Sequence, residues 1–208
     1  MFNPPSRLDI CQWIQERFSG PEPKVFVEVG AHKGYDTAWM AKIPNTVVHA
    51  FEPDPRNVVP YAPNIIFNRK AVSDKDGTAS FVLSQSYDDN REWTYSSSLK
   101  KPKNHLSRYP VKFNEKPITV ETIRLDTYCK DIPVVDLIWA DVQGAEGEMI
   151  LGGLETLKKT RYLYTEYSNQ EMYEGQINLD KILGLLPDFQ IMEIWDDDVL
   201  LVNRTLVP

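Results

Sequence analysis

Four acidic residues lie at or just after the ends of predicted strands: Glu28, Glu52, Asp141 and Glu166. In an open parallel sheet, the carboxyl ends of the strands share one edge, and ligands bind there where the strand order reverses. Gathering four carboxylates at one edge costs electrostatic repulsion, which favours a binding or catalytic role for some of them. Carboxylates suit a ribose, an amino group or a sulfonium as ligand.

A glycine-containing turn follows the first predicted strand, Val25–Val29. The turn runs from Gly30 to Gly34, and a helix is predicted over Thr37–Ala41. Glycine lets the backbone pass close to a ligand, and the amides of a helix N-terminus face whatever binds there. The spacing G-x-x-x-G differs from the G-x-G-x-x-G of nicotinamide-binding proteins. The turn is either a ligand-binding loop or only a tight strand-to-helix connection.

An acid at the end of the second predicted strand, Thr46–Phe51, is placed to bind a ribose. Glu52 lies about 20 residues beyond the glycine turn, where doubly wound folds hold the ribose hydroxyls. Pro53 and Pro55 fix the chain as it leaves the strand. The alternative is a helix cap followed by a solvated turn. The position relative to the glycines favours the ribose.

Strands alternate with helices around these acids. Strands are predicted over Val25–Val29, Thr46–Phe51, Asn64–Asn68, Ser80–Leu83, Val134–Ala140, Tyr162–Tyr167, Gln190–Trp195 and Val199–Val202. Helices are predicted over Leu8–Phe18, Thr37–Ala41, Glu146–Leu157 and Leu179–Leu186. The alternation predicts an α/β fold with a doubly wound, mostly parallel sheet. Asp196–Asp198 joins the last two strands as a hairpin, which adds an antiparallel strand.

Length and charge narrow the class of protein. The chain has 208 residues and a net charge of −7, which predicts one domain over residues 1–208 with an N-terminal helix within residues 1–20. The negative charge argues against nucleic acid or anionic membrane as a partner. No apolar stretch approaches the roughly 20 residues of a membrane span, and no signal peptide is evident. Two isolated cysteines favour a cytoplasmic location.

Six motifs in order along the chain resemble those of the FkbM family of S-adenosylmethionine-dependent methyltransferases. They are VFVEVGAHKGYDT, AFEPDP, NRKAVSDKDGTASF, SSSL, IRLDTYC and DLIWADVQGAEGEMILGG, and the resemblance runs from about Val25 to about Tyr167. It implies a Rossmann-like sheet of seven strands whose terminal hairpin inserts the last strand antiparallel. It also implies methylation of a hydroxyl oxygen on a sugar, a glycan or a related small molecule.

The resemblance assigns a set of cofactor-binding residues. S-adenosylmethionine is expected to contact Glu28, Gly30, Ala31, His32, Gly34, Glu52, Pro53, Ala71 and Asp141. Family members more often carry Asp where Glu28 stands and Asn where His32 stands. They commonly carry Glu where Gln143 stands, so a catalytic base at position 143 is not expected here.

Methyl transfer to a hydroxyl requires alignment and a general base. The acceptor oxygen and the methyl carbon must lie roughly 3–3.5 Å apart and in line. Asp141 is the first candidate for the base because it ends the central strand. His32 is the second, because imidazole titrates near neutrality, and Glu166 is the third. Asp141, Glu146 and Glu166 together have oxygens that suit a hard divalent metal, but no metal is predicted.

The segment Gln85–Pro117 differs from the rest of the chain, with seven basic residues against four acidic ones and few aliphatic side chains. A long segment of this kind is typical of a functional lid. We expect it to bind the acceptor through Trp93, Tyr95, Lys100, Lys101 and Lys103. The lysines suit a phosphate or carboxylate, and the aromatic rings suit a neutral sugar. The alternative is a solvated loop with its aromatics tucked into the core.

Two other classes of protein remain open from the sequence. A nicotinamide-dependent oxidoreductase also has an acid after its second strand, but the missing glycine motif and the terminal hairpin count against it. A non-catalytic nucleotide-binding module is the other class. The intact set of strand-end acids counts against such a degenerate module.

Overall fold

The computed structural model describes residues 7–86 and 92–207, which form twelve strands and seven helices. The strands are β1 (Lys24–Val29), β2 (Thr46–Phe51), β3 (Ile65–Asn68), β4 (Ala71–Val72), β5 (Gly77–Phe81), β6 (Ser84–Ser86), β7 (Val111–Phe113), β8 (Ile118–Ile123), β9 (Val135–Ala140), β10 (Thr160–Glu166), β11 (Phe189–Ile194) and β12 (Asp198–Asn203). The helices are α1 (Arg7–Arg17), α2 (Tyr35–Met40), α3 (His105–Arg108), α4 (Leu125–Tyr128), α5 (Glu146–Leu151), α6 (Leu154–Lys158) and α7 (Leu179–Leu185).

The main sheet of the described chain has seven strands in the order β11-β12-β10-β9-β1-β2-β3. The strands from β10 to β3 in this order are parallel, and β12 runs antiparallel to both β10 and β11. The strand order reverses between β1 and β9, so their carboxyl ends open a crevice. The predicted doubly wound sheet with an antiparallel terminal hairpin is confirmed.

Both faces of the main sheet are buried, because successive side chains of a strand point to opposite faces. On one face Phe26 packs with Ile14 and Phe18 of the α1 region. On the other face Val27 packs with Met149 of α5. All six residues of β9 are buried. Each large apolar side chain buried in this way contributes about 1.5–3 kcal/mol, so the strands form a rigid platform for the crevice.

Two smaller sheets lie beyond the main one, with strand orders β4-β8-β5 and β6-β7. The predicted strand Ser80–Leu83 overlaps the end of β5. Strand β8 was not among the predicted elements, although its side chains alternate between buried and partly exposed. No helix in residues 7–86 or 92–207 is both long and apolar enough to cross a membrane.

The helix predicted over Glu146–Leu157 is divided into α5 and α6 at Gly152 and Gly153. A Cβ on Gly152 would overlap the backbone carbonyl of Ser73, so the chain needs glycine where these two segments touch. Periodicity alone did not predict the break, because the contact comes from a distant part of the chain.

The segment Gln85–Pro117 is more ordered than the irregular loop predicted for it. It contains the end of β6, the short helix α3 and strand β7. Residues 87–91, including Tyr87 and Arg91, lie outside the described residues. Ser98 forms an isolated β-bridge with Val82, so the segment is attached to the body by backbone pairing.

Candidate functional site

A first cleft lies at the carboxyl ends of β1, β2 and β9 and encloses about 600 Å³ including its open mouth. Six of the predicted cofactor-binding residues line it: Gly30, His32, Glu52, Pro53, Ala71 and Asp141. The strand-order reversal therefore brings the glycine turn, the second-strand acid and the central acid to one site.

The two glycines of the turn are required by packing as well as by backbone conformation. Gly30 has φ 88°, and a Cβ there would overlap the carbonyl oxygen of Asp141. Gly34 has φ 72°, and its Cβ would overlap Pro60. Gly34 and Ala31 do not line the first cleft. Their predicted contact with the cofactor is therefore indirect, through the shape of the turn.

Glu28 is buried beneath the turn rather than in the first cleft. Its carboxylate accepts a hydrogen bond from the Thr37 hydroxyl of α2. Burial raises the pKa of Glu28 to about 8. The side chain faces α2 and does not line the first cleft, and its predicted contact with the cofactor stays a prediction. The acid instead connects β1 to α2.

Glu52 faces the first cleft and is almost fully buried. Its two carboxylate oxygens accept the backbone amides of His32 and Asp54, both at 2.7 Å. Burial raises the pKa of Glu52 to about 7. Each oxygen has a second lone pair, so Glu52 can also accept the hydroxyl donors of a ribose.

The loop that follows Glu52 is held by two arginines that the sequence analysis did not consider. The buried Asp54 carboxylate accepts two hydrogen bonds from Arg56, at 2.9 and 2.6 Å. The guanidinium of Arg69 donates to the carbonyls of Glu52, Asp54 and Asn57. These contacts fix the position of the loop that begins at Glu52. The AFEPDP motif contains Asp54, but its side-chain role depends on partners outside the motif.

His32 occupies the turn in a left-handed conformation with φ 51°. Its Nε2 lies 2.6 Å from the Thr94 hydroxyl, and its ring centroid lies 4.0 Å from that of Tyr95. Burial lowers the pKa of His32 to about 4. The imidazole is therefore neutral at pH 7, and one nitrogen already has a partner. This environment makes His32 a weaker candidate for the base than Asp141.

A second cleft adjoins the first and encloses about 900 Å³ with its mouth. Tyr95, Asp141 and Gln143 line both clefts and form a shared wall. Trp93, Glu166 and Tyr173 line the second cleft only. Two ligands bound on either side of this wall would meet at Asp141.

Asp141 and Glu166 are bridged by the side chain of Gln143. Its Nε2 lies 2.8 Å from Asp141 Oδ1 and 3.1 Å from Glu166 Oε2. Burial, together with the nearby charge of Asp141, raises the pKa of Glu166 well above its ordinary value. This raised pKa favours the protonated form of Glu166 next to Asp141. Sequence reasoning selected both acids but not the residue that joins them.

Glu146 does not join this pair as a third metal ligand. It is fully buried in the first turn of α5, where its Oε1 accepts the Gly144 amide at 3.1 Å. Its Oε2 has no hydrogen-bond partner among the described residues, and burial raises the pKa of Glu146 to about 7. Over residues 7–86 and 92–207, no group of three His, Cys, Asp or Glu side chains is arranged to hold a metal ion.

The predicted acceptor residues separate into two groups. Trp93 and Tyr95 line the second cleft, and their ring centroids are 5.1 Å apart. The lysines 100, 101 and 103 do not line it. Lys100 pairs with Glu148 at 2.7 Å, and Lys103 pairs with Glu171. The structure therefore places the two aromatic residues at the second cleft and the three lysines outside its lining.

The second cleft also contains residues that the sequence analysis missed. His105 and Tyr109 come from the segment 92–117, and Tyr173 comes from the loop after β10. Arg108 spans the cleft to Asp197, with N–O distances of 2.9 and 3.3 Å. No motif marked Tyr173 or Asp197, because their role depends on contacts with residues far away along the chain.

Comparison with known proteins identifies the class of protein. Residues 28–195 match the family model described as the methyltransferase FkbM domain. The chain belongs to the FkbM methyltransferase family. It is 42% identical over 217 residues to the 2-O-methyltransferase NoeI of Sinorhizobium fredii (strain NBRC 101917 / NGR234), with 98% of this chain and 88% of that protein covered.

Solved structures agree with the fold. A Klebsiella pneumoniae crystal structure provisionally named an O-methyltransferase superposes with a TM-score of 0.51 at 12% identity, covering 96% of this chain and 81% of that one. Magnesium protoporphyrin IX methyltransferase from Synechocystis PCC 6803, solved with S-adenosylmethionine, has a TM-score of 0.49 at 10% identity, with 94% and 76% covered. The first of these likenesses supports the class I methyltransferase fold.

The protein is an S-adenosylmethionine-dependent O-methyltransferase. The predictions of family, fold, cofactor and reaction type are confirmed. The oxidoreductase and the non-catalytic module are set aside, because the family model covers both the glycine turn and the strand-end acids.

Proposed function

We propose that this methyltransferase methylates a hydroxyl group of an uncharged sugar held in the second cleft, and that Asp141 accepts the hydroxyl proton. The observation that carries the proposal is the wall of Tyr95, Asp141 and Gln143 that both clefts share. A cofactor in one cleft and a sugar in the other meet at this wall. The 2-O-methyltransferase name of the relative supports a hydroxyl oxygen as the acceptor.

The lining of the first cleft fits S-adenosylmethionine. Glu52 offers carboxylate oxygens to ribose hydroxyls, while Pro53 and Ala71 offer apolar surface to a purine ring. When bound, S-adenosylmethionine supplies an electrophilic methyl carbon on its sulfonium. The Gly30 turn keeps the backbone close to the ligand, and Arg69 keeps the Glu52 loop in place.

Asp141 is the general base of the proposed reaction. The acceptor hydroxyl must lose its proton as its oxygen bonds to the methyl carbon. The raised pKa of Glu166 favours a proton on that acid, and Asp141 lines both clefts, so we assign the role of base to Asp141. His32 is less suited, since burial lowers its pKa to about 4 and Thr94 occupies its Nε2.

The charges around the second cleft favour an uncharged acceptor. Asp141, Glu166 and Asp197 contribute carboxyl groups, and the cation Arg108 is paired with Asp197. Asp141 would repel an acceptor that carries phosphate or carboxylate, and Arg108 would not offset this because it is already paired with Asp197. The rings of Trp93 and Tyr95 in the same cleft offer faces on which a sugar ring stacks.

The alternative of an anionic sugar held by lysines has less support. Lys100 and Lys103 are engaged by Glu148 and Glu171, outside the second cleft. Moving either lysine to an acceptor would break an existing ion pair, so the aromatic residues are the better candidates.

We also propose a role for residues 92–117 and a single domain for the chain. Residues 92–117 act as the lid over the second cleft, because they contribute Trp93, Tyr95 and Tyr109 to it. The chain as a whole, residues 1–208, acts as one methyltransferase domain in the cytoplasm. Two cysteines without a disulfide between them agree with a reducing compartment.

The test is transfer of a labelled methyl group to matched acceptors. A panel of neutral methyl glycosides is compared with the corresponding uronic acids and 6-phosphates at saturating S-adenosylmethionine. We expect kcat/KM for the best neutral sugar to exceed that of its anionic partners by about 10-fold or more, since like charges oppose binding. A preference for the anionic partners would overturn the uncharged assignment.

A charge variant sharpens this test. Asp197→Asn removes the partner of Arg108 and leaves an unpaired cation in the second cleft, so activity on the anionic acceptors should rise relative to the neutral sugar. Asp196→Asn is the matched control, because it makes the same change of charge next to the cleft without lining it. If both variants raised the activity on the anionic acceptors equally, that activity would depend only on the net charge of the protein and not on the unpaired Arg108.

A further inference from the structure

The side chain of Gln143, in the shared wall, contacts both Asp141 and Glu166. It follows β9 in a left-handed conformation with φ 51°, which turns the chain immediately after Asp141. Its amide nitrogen has two hydrogens, and it lies 2.8 Å from Asp141 Oδ1 and 3.1 Å from Glu166 Oε2. One amide therefore donates to both carboxyl groups at once.

The orientation of this amide is fixed from the other side by Tyr173. The Tyr173 hydroxyl donates to Gln143 Oε1 at 2.8 Å and lies 3.0 Å from the carbonyl of Ser96. The backbone carbonyl of Gln143 accepts the Ser98 hydroxyl at 2.7 Å. The amide oxygen thus faces a donor and the amide nitrogen faces two acceptors, which the reverse orientation would not achieve.

The surroundings of the acid pair explain why a neutral donor matters here. Glu146 of α5 and Asp198 of β12 add negative charge near Glu166. Across the second cleft lie the ion pair of Arg108 with Asp197 and the neutral His105. This chain has Gln where family members commonly carry Glu, and with the acids that surround the position in this chain a carboxylate there would add repulsion.

We propose that Gln143 is a positioning residue that holds Asp141 and Glu166 together at the shared wall and keeps Asp141 available as the base. The inference rests on the proposed function, in which Asp141 accepts the proton of the acceptor hydroxyl. Gln143 takes no proton itself, because an amide does not titrate in the relevant range.

A donor at this position has a direct consequence for the base. Hydrogen bonds from the amide stabilise the ionised form of Asp141, which is the form that accepts a proton, despite its acidic neighbours. Gln143 therefore favours proton transfer to Asp141.

The experiment compares Gln143→Glu with Gln176→Glu in the full chain. Gln176 lines the same cleft, but its Oε1 accepts only the amides of Met172 and Tyr173, so it is the matched control for added charge. The measurements are kcat and the acceptor KM from pH 5.5 to 9.5, S-adenosylhomocysteine affinity by calorimetry, and thermal unfolding.

Gln143→Glu should lower kcat at pH 7 by about 10- to 100-fold, the scale of an impaired proton transfer. The acid limb of its pH profile should move upward by about 1 unit or more, so that kcat recovers in part at high pH. S-adenosylhomocysteine affinity should stay within about 3-fold, because that ligand has no acceptor proton to transfer. Gln176→Glu should leave the acid limb in place.

An unshifted acid limb in Gln143→Glu would overturn the inference, and so would an equal shift in Gln176→Glu. If Gln143→Glu does not fold, Tyr173→Phe replaces it, because it removes the donor that orients the amide. That variant should shift the limb in the same direction by a smaller amount, and no shift would overturn the inference. Should Asp141→Asn keep its activity, the proposed base is wrong, which is a separate failure.

Discussion

Glu166 lies beside Asp141 because β9 and β10 are parallel neighbours in register. Thr165 pairs with Ala140, so the next residue of each strand is one of the two acids. The shared amide of Gln143 then joins their carboxyl groups. Strand pairing thus places the proposed base, Asp141, beside Glu166 at the edge where the clefts meet.

The first prediction concerns this base. Asp141→Asn should bind S-adenosylhomocysteine with an affinity close to wild type but turn over at least about 100-fold more slowly, because the asparagine amide cannot accept the hydroxyl proton. Calorimetry and single-turnover methyl transfer measure the two quantities. Turnover near the wild-type rate would move the base elsewhere, and His32→Gln would be tested next. Activity that survives exhaustive chelation would favour a base over a metal.

The second prediction concerns the pH dependence of cofactor binding. The pKa of Glu52 is raised to about 7, so the free protein holds a proton there in acid. Ribose hydroxyls donate to the ionised form, so S-adenosylhomocysteine should bind more tightly as the pH rises through 7 and should release a proton on binding. Calorimetry at pH 6, 7 and 8 in buffers of different ionisation enthalpy measures both effects.

Glu52→Gln provides the control for this linkage. The variant should lose about 1–3 kcal/mol of binding free energy at pH 8, as expected for the loss of a charged acceptor. Its affinity should also become independent of pH over this range. A variant that keeps both the affinity and the pH dependence would show that Glu52 does not hold the ribose.

The third prediction separates the aromatic residues from the lysines. Replacing Trp93 and Tyr95 together by Ala should raise the acceptor KM by about 10-fold or more, because two stacking surfaces are lost. Replacing the lysines 100, 101 and 103 together should change that KM by no more than about 2-fold, since surface charges outside a site contribute little. Acceptor kinetics at saturating S-adenosylmethionine measure both. If the lysine replacements raised the acceptor KM more than the aromatic replacements did, the lysines would be the residues that bind the acceptor.

The fourth prediction concerns folding stability. Burial raises the folded-state pKa of Glu28 to about 8 from an ordinary value of 4.5. The folded protein therefore keeps a proton that the unfolded chain releases, and the stability contributed in acid is lost as the pH rises from about 4.5 to 8. Glu28→Gln, which is neutral at every pH, should be more stable than wild type at pH 9 by about 1 kcal/mol or more.

Urea unfolding at pH 5, 7 and 9 measures this effect. Glu22→Gln is the matched control, because Glu22 is exposed before β1 and its substitution should leave the pH dependence unchanged. A Glu28→Gln protein with the same pH dependence as wild type would show that Glu28 is ionised in the fold.

The sequence alone was sufficient to predict the seven strands of the main sheet and the acids at their ends. Those features are local, because an apolar run such as Val25–Val29 predicts a buried strand from its own residues alone. The prediction does not require knowing which strands lie next to it. Parallel strands then bring their carboxyl ends to one edge. The positions of Glu52, Asp141 and Glu166 near one another therefore followed from topology, before any side-chain contact was known.

Only the tertiary structure decided which side chains act at that edge. Gln143 and Tyr173 are 30 residues apart, and Arg108 and Asp197 are 89 residues apart, so no local pattern pairs them. The lysines around position 100 looked free in the sequence, but Lys100 and Lys103 are paired with Glu148 and Glu171. Such partners are determined by proximity in the folded structure, and residues that are far apart in the sequence form no local pattern that would pair them.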